Sequence, residues 1–232
     1  MCVALAAHHT WQAVMEHYAL QPGAEPVAKP GAQADSDLTF TPSAVIRPKA
    51  VHPIIRETAD GWFLDLAIWG LPGSKGRITP VTNARCETLD VMPMFRDAFQ
   101  SRRCAVPVSG YYEWKRAVDG TRTPWKIWRQ NDSAASLIAI AGLYTFNSKT
   151  KQCYFVVVTT EPNEVAAEIH DRMPVILTEE GVDTWLSLNT GRADLRSLCK
   201  PYDGDDLTAQ SVAKSLFERS KADDKNQLNL AI

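Results

Sequence analysis

The sequence predicts one α+β domain over residues 1–232, with a curved, mostly antiparallel sheet or barrel-like core and helices around it. Three observations support this fold class. Six segments have the composition of strands, and several of them are β-branched or aromatic runs bounded by Gly, Pro, Asn or Asp. Short helical patterns flank these segments, and no change in composition divides the chain. The hydrophobic and charged fractions, 45% and 22%, are those of ordinary globular proteins.

The first predicted element is a short amphipathic helix. Thr10 is suited to cap it, and Trp11, Val14, Met15 and Tyr18 follow at helical spacing. Residues 21–37 are rich in Pro, Gly and Ala and show no periodicity, which indicates a surface loop. The six predicted strands lie at residues 62–69, 103–108, 111–116, 125–128, 137–141 and 154–160.

Further helices are predicted between and after these strands. Residues 88–100 show a helical pattern that Pro93 should kink or restart, because proline cannot continue a helix ladder. Residues 161–169 predict a short helix with Pro162 in its first turn. Thr178 is suited to cap a helix that runs to about residue 188, and residues 192–199 predict one or two further turns.

Composition narrows the classes of function. The net charge of −2 argues against strong electrostatic binding to duplex DNA. Basic residues do cluster between positions 96 and 129, so a local basic groove is not excluded. The five cysteines include no C-x-x-C pair, which argues against a disulfide framework or a structural zinc site and favours a reducing cytoplasm. The sequence shows no signal peptide and no membrane-length apolar run, so we expect no membrane partner.

Cys2 is the first candidate for chemistry, because cysteine is small enough for methionine aminopeptidases to remove Met1 before it. Removal would leave a 1,2-aminothiol, with a free α-amine and a thiol on one residue. The amine condenses with an aldehyde to an imine, and the thiol then closes a five-membered thiazolidine ring. The α-amine titrates at about pH 8 and the thiol at about pH 8.5, so both groups are partly deprotonated and nucleophilic at neutral pH.

Three further segments join Met1-Cys2 in one pattern. They are residues 82–88 (TNARCET), 103–115 (RCAVPVSGYYEWK) and 169–177 (IHDRMPVIL). In this order and at these separations the four segments closely resemble the SRAP family, the abasic-site-processing proteins first named as SOS-response-associated peptidases. Residues 67–71 (AIWGL) resemble a weaker family element, a tryptophan-glycine strand end.

The resemblance implies a protein that binds single-stranded DNA containing abasic sites and links covalently to it through Cys2. It also implies possible strand-incising lyase activity through the same imine, and removal of the protein's own Met1. It implies no metal and no organic cofactor. On this basis we expect a monomer, encoded by a bacterium or a phage, that works in the cytoplasm and associates with the nucleoid when it acts on DNA.

Within the resemblance, three residues accompany Cys2 as catalytic candidates. Glu113 would stabilise the positive charge that develops on the imine and would move protons. His170 has an ordinary pKa close to the working pH and could protonate the sugar oxygen during ring opening. Asn83 carries an amide that both donates and accepts, which suits orienting a sugar hydroxyl or the terminal amine.

Four residues are DNA-binding candidates by the same resemblance. Arg85 lies on the same face as Asn83 if the segment is extended, and its guanidinium would hold a phosphate. Glu87 continues this alternation and could pair with Arg85. Thr159 and Arg172 are candidate backbone contacts, and Trp69 either stacks on a base or belongs to the core.

The opening of the chain departs from the family pattern. Val3 and Ala4 stand where the family has glycine and a phosphate-contacting arginine. Two alternatives stay open. One is a non-catalytic module that binds single-stranded DNA, although a pure binder should keep the phosphate contact that Ala4 lacks. The other is a cysteine hydrolase with Cys2 as nucleophile and His170 as base.

Overall fold

The computed structural model describes residues 2–20, 43–72, 80–130 and 137–218. Strands account for more of the described chain than helices do. The strands are β1 (Ala4–Ala7), β2 (Ser43–Ile46), β3 (Val51–Thr58), β4 (Gly61–Trp69), β5 (Asn83–Arg85), β6 (Arg103–Val108), β7 (Gly110–Arg116), β8 (Arg122–Arg129), β9 (Ile138–Asn147), β10 (Gln152–Thr160), β11 (Met173–Pro174), β12 (Ile176–Leu177) and β13 (Leu207–Ser211).

The helices of the described residues are short. They are α1 (Trp11–His17), α2 (Pro93–Ser101), α3 (Glu164–Ala167), α4 (Glu179–Leu186) and α5 (Arg192–Ser197), with single 3-10 turns at Cys86–Thr88 and Lys214–Phe217. Thr10, Asn163 and Thr178 cap α1, α3 and α4 through their side chains. Among the described residues, none of these helices combines the length and the apolar character that crossing a membrane requires.

The strands form two sheets, and one of them closes into a barrel. β10, β4, β3, β6 and β9 are neighbours in that order, and β9 pairs again with β10 to complete the ring. All pairings in the ring are antiparallel except β10 with β4. The second sheet has the order β13-β8-β7-β1-β2. The predicted α+β class, with a mostly antiparallel barrel-like core, is confirmed.

Both faces of the barrel strands are buried. One face packs against α2 and α4, where Phe99 and Trp185 meet the apolar side chains of the barrel. The other face packs against the second sheet, and this cluster contains Cys2, Leu5 and Tyr111. The first residues of the chain are therefore held between the two sheets by apolar packing.

Gly110 opens β7 at the point where the chain leaves the barrel for the second sheet. Its φ is +148°, and a Cβ there would lie 2.6 Å from the carbonyl oxygen of Ile127 on β8. Only glycine fits this close approach of two backbones. The tight pairing fixes the register of β7 against β8, and with it the positions of the residues that follow Gly110.

Arg103 ties two helices to the barrel from within. It is 2% exposed, and its guanidinium donates to the carbonyl oxygens of Phe99, Gln100, Trp185 and Ser187 at 2.5–2.9 Å. These carbonyls belong to the C-terminal turns of α2 and α4, which lack helical partners and attract positive charge. Arg103 therefore lies in the core, so it is not part of a basic groove.

Several predicted elements differ from the structure in their bounds. The helix predicted over residues 88–100 begins only at Pro93, because proline is accepted at the first helical position and not within a helix. Pro162 precedes the N-cap Asn163 and lies outside α3. β8 and β9 are longer than predicted, and seven strands were not predicted: β1, β2, β3, β5, β11, β12 and β13. The loop predicted over residues 21–37 lies outside the described residues.

His52 on β3 gives a testable link between burial and acid stability. It is fully buried, its Nε2 lies 2.9 Å from the carbonyl oxygen of Pro107, and burial lowers its pKa to about 4. The unfolded chain binds a proton here more readily, so stability is complete above about pH 6.5 and is lost as pH falls toward 4. At about 1.4 kcal/mol per pH unit, the loss is about 3 kcal/mol.

We expect His52→Gln to remove most of this acid-dependent loss, measured as the free energy of unfolding in urea between pH 7 and 4.5. The control is His17→Gln, because His17 is exposed on α1 and should keep the wild-type pH dependence. Equal pH dependence in His52→Gln and wild type would contradict the assignment.

Candidate active site

Strand β7 carries the central carboxylate of the site. β7 lies between β1 and β8, and its alternation places Tyr112 and Trp114 on one face, where both rings pack against Phe217. Glu113 and Tyr111 point to the opposite face, toward the cluster that contains Cys2. Glu113 is 2% exposed, so the fold places a carboxyl group in the interior.

Cys2 lies beside this carboxyl group. The N–H of Val3 donates to the carbonyl oxygen of Tyr112, which extends the pairing of β1 with β7 toward the chain start. The side chain of Cys2 is buried, and its thiol donates to the carbonyl oxygen of Ala4 at 3.5 Å. Burial raises the pKa of the Cys2 thiol well above its ordinary value, and the negative charge of Glu113 raises it further.

Asn83 approaches Cys2 from the barrel. It begins β5, which runs parallel to β10 with Asn83 opposite Val157. Its amide Nδ2 donates to the carbonyl oxygen of Cys2 at 3.2 Å and to the hydroxyl of Thr82 at 2.8 Å. Its Oδ1 is buried and has no hydrogen-bond partner among the described residues. A buried acceptor without a partner costs free energy unless a ligand supplies a donor.

His170 approaches Glu113 from the loop after α3. The backbone N–H of His170 donates to the carbonyl oxygen of Ala166, and its ring Nε2 lies 4.0 Å from Glu113 Oε1. Burial raises the pKa of Glu113 to about 7, and burial lowers the pKa of His170. A carboxyl group that titrates near neutral pH therefore faces an imidazole whose neutral form is favoured, which is an arrangement suited to acid–base catalysis.

Tyr111 belongs to the same cluster and was missed from the sequence. Its side chain is 1% exposed, and its hydroxyl has no hydrogen-bond partner among the described residues. Burial raises its pKa, and the charges of Cys2 and Glu113 raise it further. The signal was present in the sequence, because Tyr111 stands two residues before Glu113 on a strand.

Arg85 and Arg172 differ in how firmly they are held. Arg85 is exposed at the end of β5, on the same side as Asn83 and opposite the buried Ala84, as predicted. The prediction that Glu87 extends this alternation and pairs with Arg85 is wrong, because the strand ends at Arg85 and a 3-10 turn follows. Glu87 instead accepts two hydrogen bonds from Arg172, at 2.7 and 3.0 Å.

Trp69 and Thr159 lie in the interior. Trp69 is 0% exposed, stacks on Phe155 with ring centroids 6.3 Å apart, and donates its indole N–H to the carbonyl oxygen of Thr82. Thr159 is also fully buried, and its carbonyl oxygen accepts a hydrogen bond from Arg172. A base could stack on Trp69 only if the end of β4 opened. Both residues support the segment that carries Asn83 and Arg85.

Comparison with known proteins agrees with this architecture. A crystal structure of a Bacteroides thetaiotaomicron protein superimposes with a TM-score of 0.75 at 25% identity, covering 94% of this chain and 95% of that one. "Abasic site processing protein YoqW" of Bacillus subtilis is 43% identical over 135 residues. That match covers 56% of this chain and 59% of the relative, so the chain is matched to little more than half of that protein's length.

More distant relatives carry the same description. "Abasic site processing protein YedK" of Escherichia coli is 26% identical over 156 residues, which cover 66% of this chain and 69% of that protein. The model of the family described as "SOS response associated peptidase (SRAP)" matches residues 1–218, nearly the whole chain. The chain therefore belongs to the SRAP family.

Proposed function

We propose that this protein processes abasic sites in single-stranded DNA by forming a covalent bond through Cys2 after Met1 has been removed. One observation carries the proposal. Cys2, Asn83, Glu113 and His170 come from four distant parts of the sequence and meet between the two sheets, linked by the contacts of Asn83 with Cys2 and of His170 with Glu113. The names of the relatives support the choice of substrate.

The proposed reaction uses both nucleophiles of Cys2. The freed α-amine adds to the aldehyde carbon of the ring-opened sugar, and loss of water from the resulting carbinolamine gives an imine. The Cys2 sulfur then forms a bond to the imine carbon, and the C=N π pair moves to nitrogen. The proton released by the thiol is transferred to that nitrogen. The product is a thiazolidine. Lyase cleavage of the strand would start from the same imine, before the sulfur closes the ring.

Glu113 is suited to move the protons in both steps. With a pKa of about 7, its carboxylate can take the proton of the attacking amine, and its acid form can deliver a proton to the departing hydroxyl group. The raised pKa of Cys2 keeps sulfur in the thiol form until Glu113 or the imine nitrogen accepts its proton. His170, 4.0 Å from Glu113, would protonate the sugar oxygen or exchange protons with Glu113.

The cysteine hydrolase alternative receives less support from the same geometry. Such an enzyme lowers the pKa of its cysteine by pairing the thiolate with an imidazolium ion. Here burial and Glu113 raise the pKa of Cys2, and the thiol donates to the carbonyl oxygen of Ala4. The His170 ring lies close to carboxylates, those of Glu113 and Asp171, whereas a hydrolase of this kind would pair it with the Cys2 thiolate. The non-catalytic alternative is separated from the proposal by experiment.

The decisive experiment tests for the covalent bond. Protein lacking Met1 is incubated with an abasic single-stranded oligonucleotide, run on a denaturing gel and weighed by intact mass spectrometry. We expect a heat-stable adduct on Cys2 that Cys2→Ala abolishes and Cys153→Ala leaves unchanged, since the charged neighbours of Cys153 at the start of β10 are Asp65 and Arg56. Binding without an adduct would support the non-catalytic module, and hydrolysis of a peptide or ester would support the hydrolase.

The second prediction concerns Glu113. We expect Glu113→Gln to slow adduct formation at pH 7.5 by about 100-fold, the loss typical of removing a general acid–base. Because the carboxylate is the base, the wild-type rate should rise as pH passes about 7, and the variant should lose this step and keep only the later rise from the α-amine, which titrates at about pH 8. Glu16→Gln on the exposed face of α1 is the control. A variant with wild-type rate and pH profile would exclude Glu113 from the chemistry.

The third prediction concerns DNA binding by Arg85. We expect Arg85→Ala to weaken binding of an abasic single strand and to flatten the slope of log K against log salt by about 0.7, the value for one phosphate contact. Arg116→Ala is the control, because Arg116 is exposed at the far end of β7. Fluorescence anisotropy measured from about 50 to about 300 mM salt gives the slopes for the variant and for the control. An unchanged slope would show that Arg85 contacts no phosphate.

A further inference from the structure

Two cysteines that take no part in the proposed chemistry lie against each other. Cys86 begins the 3-10 turn after β5, and Cys199 lies two residues beyond the end of α5. The Sγ of Cys86 lies 3.7 Å from the carbonyl oxygen of Cys199, although 113 residues separate them in sequence. Both are free thiols, and the Cys199 side chain hydrogen-bonds to Cys86. Cys86 is 4% exposed, whereas Cys199 is partly exposed.

Arg196 holds the two segments together. From α5, its guanidinium donates to the carbonyl oxygen of Cys86 at 2.5 Å and to the carboxylate of Asp90 at 3.2 Å. One side chain thus fixes the backbone of Cys86 relative to the helix that precedes Cys199. The packing of α5 brings the two thiols together in the folded state. A disulfide between them therefore requires no rearrangement of helices or strands.

We propose that Cys86 and Cys199 form a redox couple, which a peroxide oxidises to an intramolecular disulfide that anchors α5 to the segment carrying Asn83 and Arg85. This property is separate from the proposed DNA chemistry, because neither thiol belongs to the cluster around Glu113. The oxidant class is a peroxide, since it is small enough to reach a nearly buried sulfur.

The reaction balances in two steps. The Cys86 sulfur attacks one peroxide oxygen, so an S–O bond forms, the O–O bond breaks, and the leaving oxygen takes the thiol proton to become water. The Cys199 sulfur then attacks the sulfur of the Cys86 sulfenic acid, so the S–S bond forms and the S–O bond breaks. The second oxygen leaves as water with the Cys199 proton. Two thiols are oxidised and one peroxide is reduced.

The local charges make Cys86 the nucleophile of the first step. The hydrogen bond from the Cys199 thiol, helped by Thr160 and Arg172, lowers the pKa of Cys86 to about 7 against the opposing effects of burial and the charge of Glu87. Burial raises the pKa of Cys104 and raises that of Cys153 to about 12. At neutral pH Cys86 is therefore the thiol with the largest thiolate fraction among the five, and thiolates react with peroxide.

The test is a map of disulfides in the full-length protein. Protein with reduced thiols is treated with hydrogen peroxide, unfolded, alkylated and digested without reductant. We expect a mass for the peptides of Cys86 and Cys199 joined with loss of two hydrogens, and faster migration of the intact chain on a non-reducing gel. Dithiothreitol should reverse both changes. The melting temperature should rise by several degrees on oxidation and return on reduction.

Matched variants make the result specific. Cys86→Ser and Cys199→Ser should each abolish the linked peptide and the rise in melting temperature, while Cys104→Ser and Cys153→Ser should retain both. In Cys199→Ser, a trapping reagent such as dimedone should label Cys86, because the sulfenic acid then has no partner. Oxidation of Cys86 to a sulfinic acid in the wild type, or a disulfide to any other cysteine, would overturn the proposal. Failure of the DNA adduct alone would leave it standing.

Discussion

The burial of Glu113 is the constraint on which the site depends. A carboxylate removed from water is costly unless its surroundings supply charge or hydrogen bonds, and the cost appears as a pKa raised to about 7. Glu113 Oε1 accepts the N–H of Trp114 at 3.1 Å, and His170 lies 4.0 Å away. The fold retains a group that ordinary packing would exclude, and such perturbed groups mark sites of chemistry.

The two sheets hold this carboxyl group in place by different means. In the second sheet, β7 is paired on both sides, with β1 and β8, and Gly110 fixes its start by allowing β8 to approach closely. The barrel contributes Asn83 through β5, which pairs with β10, and His170 through the loop before β11. Each catalytic candidate therefore rests on a different element. Their relative positions depend on the apolar packing between the sheets.

Local pattern predicted the parts of the site that lie within one segment, and it could not predict contacts between segments. Alternation along β7 placed Glu113 opposite Tyr112 and Trp114, and alternation along β5 placed Asn83 beside Arg85. The contact of Glu87 with Arg172 spans 85 residues, so nothing in the local sequence indicated it. β3 was missed because both of its faces are buried and because Pro53 argues against a strand. The structure accommodates Pro53, which has no N–H, because β3 pairs with β6 only at Ile55 and Ala105.

The departure from the family pattern at position 4 is explained by packing. Ala4 is 1% exposed, lies opposite Tyr112 in β1, and belongs to a small apolar cluster that Phe217 covers. A long basic side chain at this position would have to pass through that cluster to reach solvent, whereas alanine lets Phe217 close over Tyr112. The apolar cover supports β7 from the face opposite Glu113. Packing at position 4 thus supports the strand that carries the buried Glu113, and under the proposed function the contact with DNA phosphate would fall to Arg85 on the exposed side of β5.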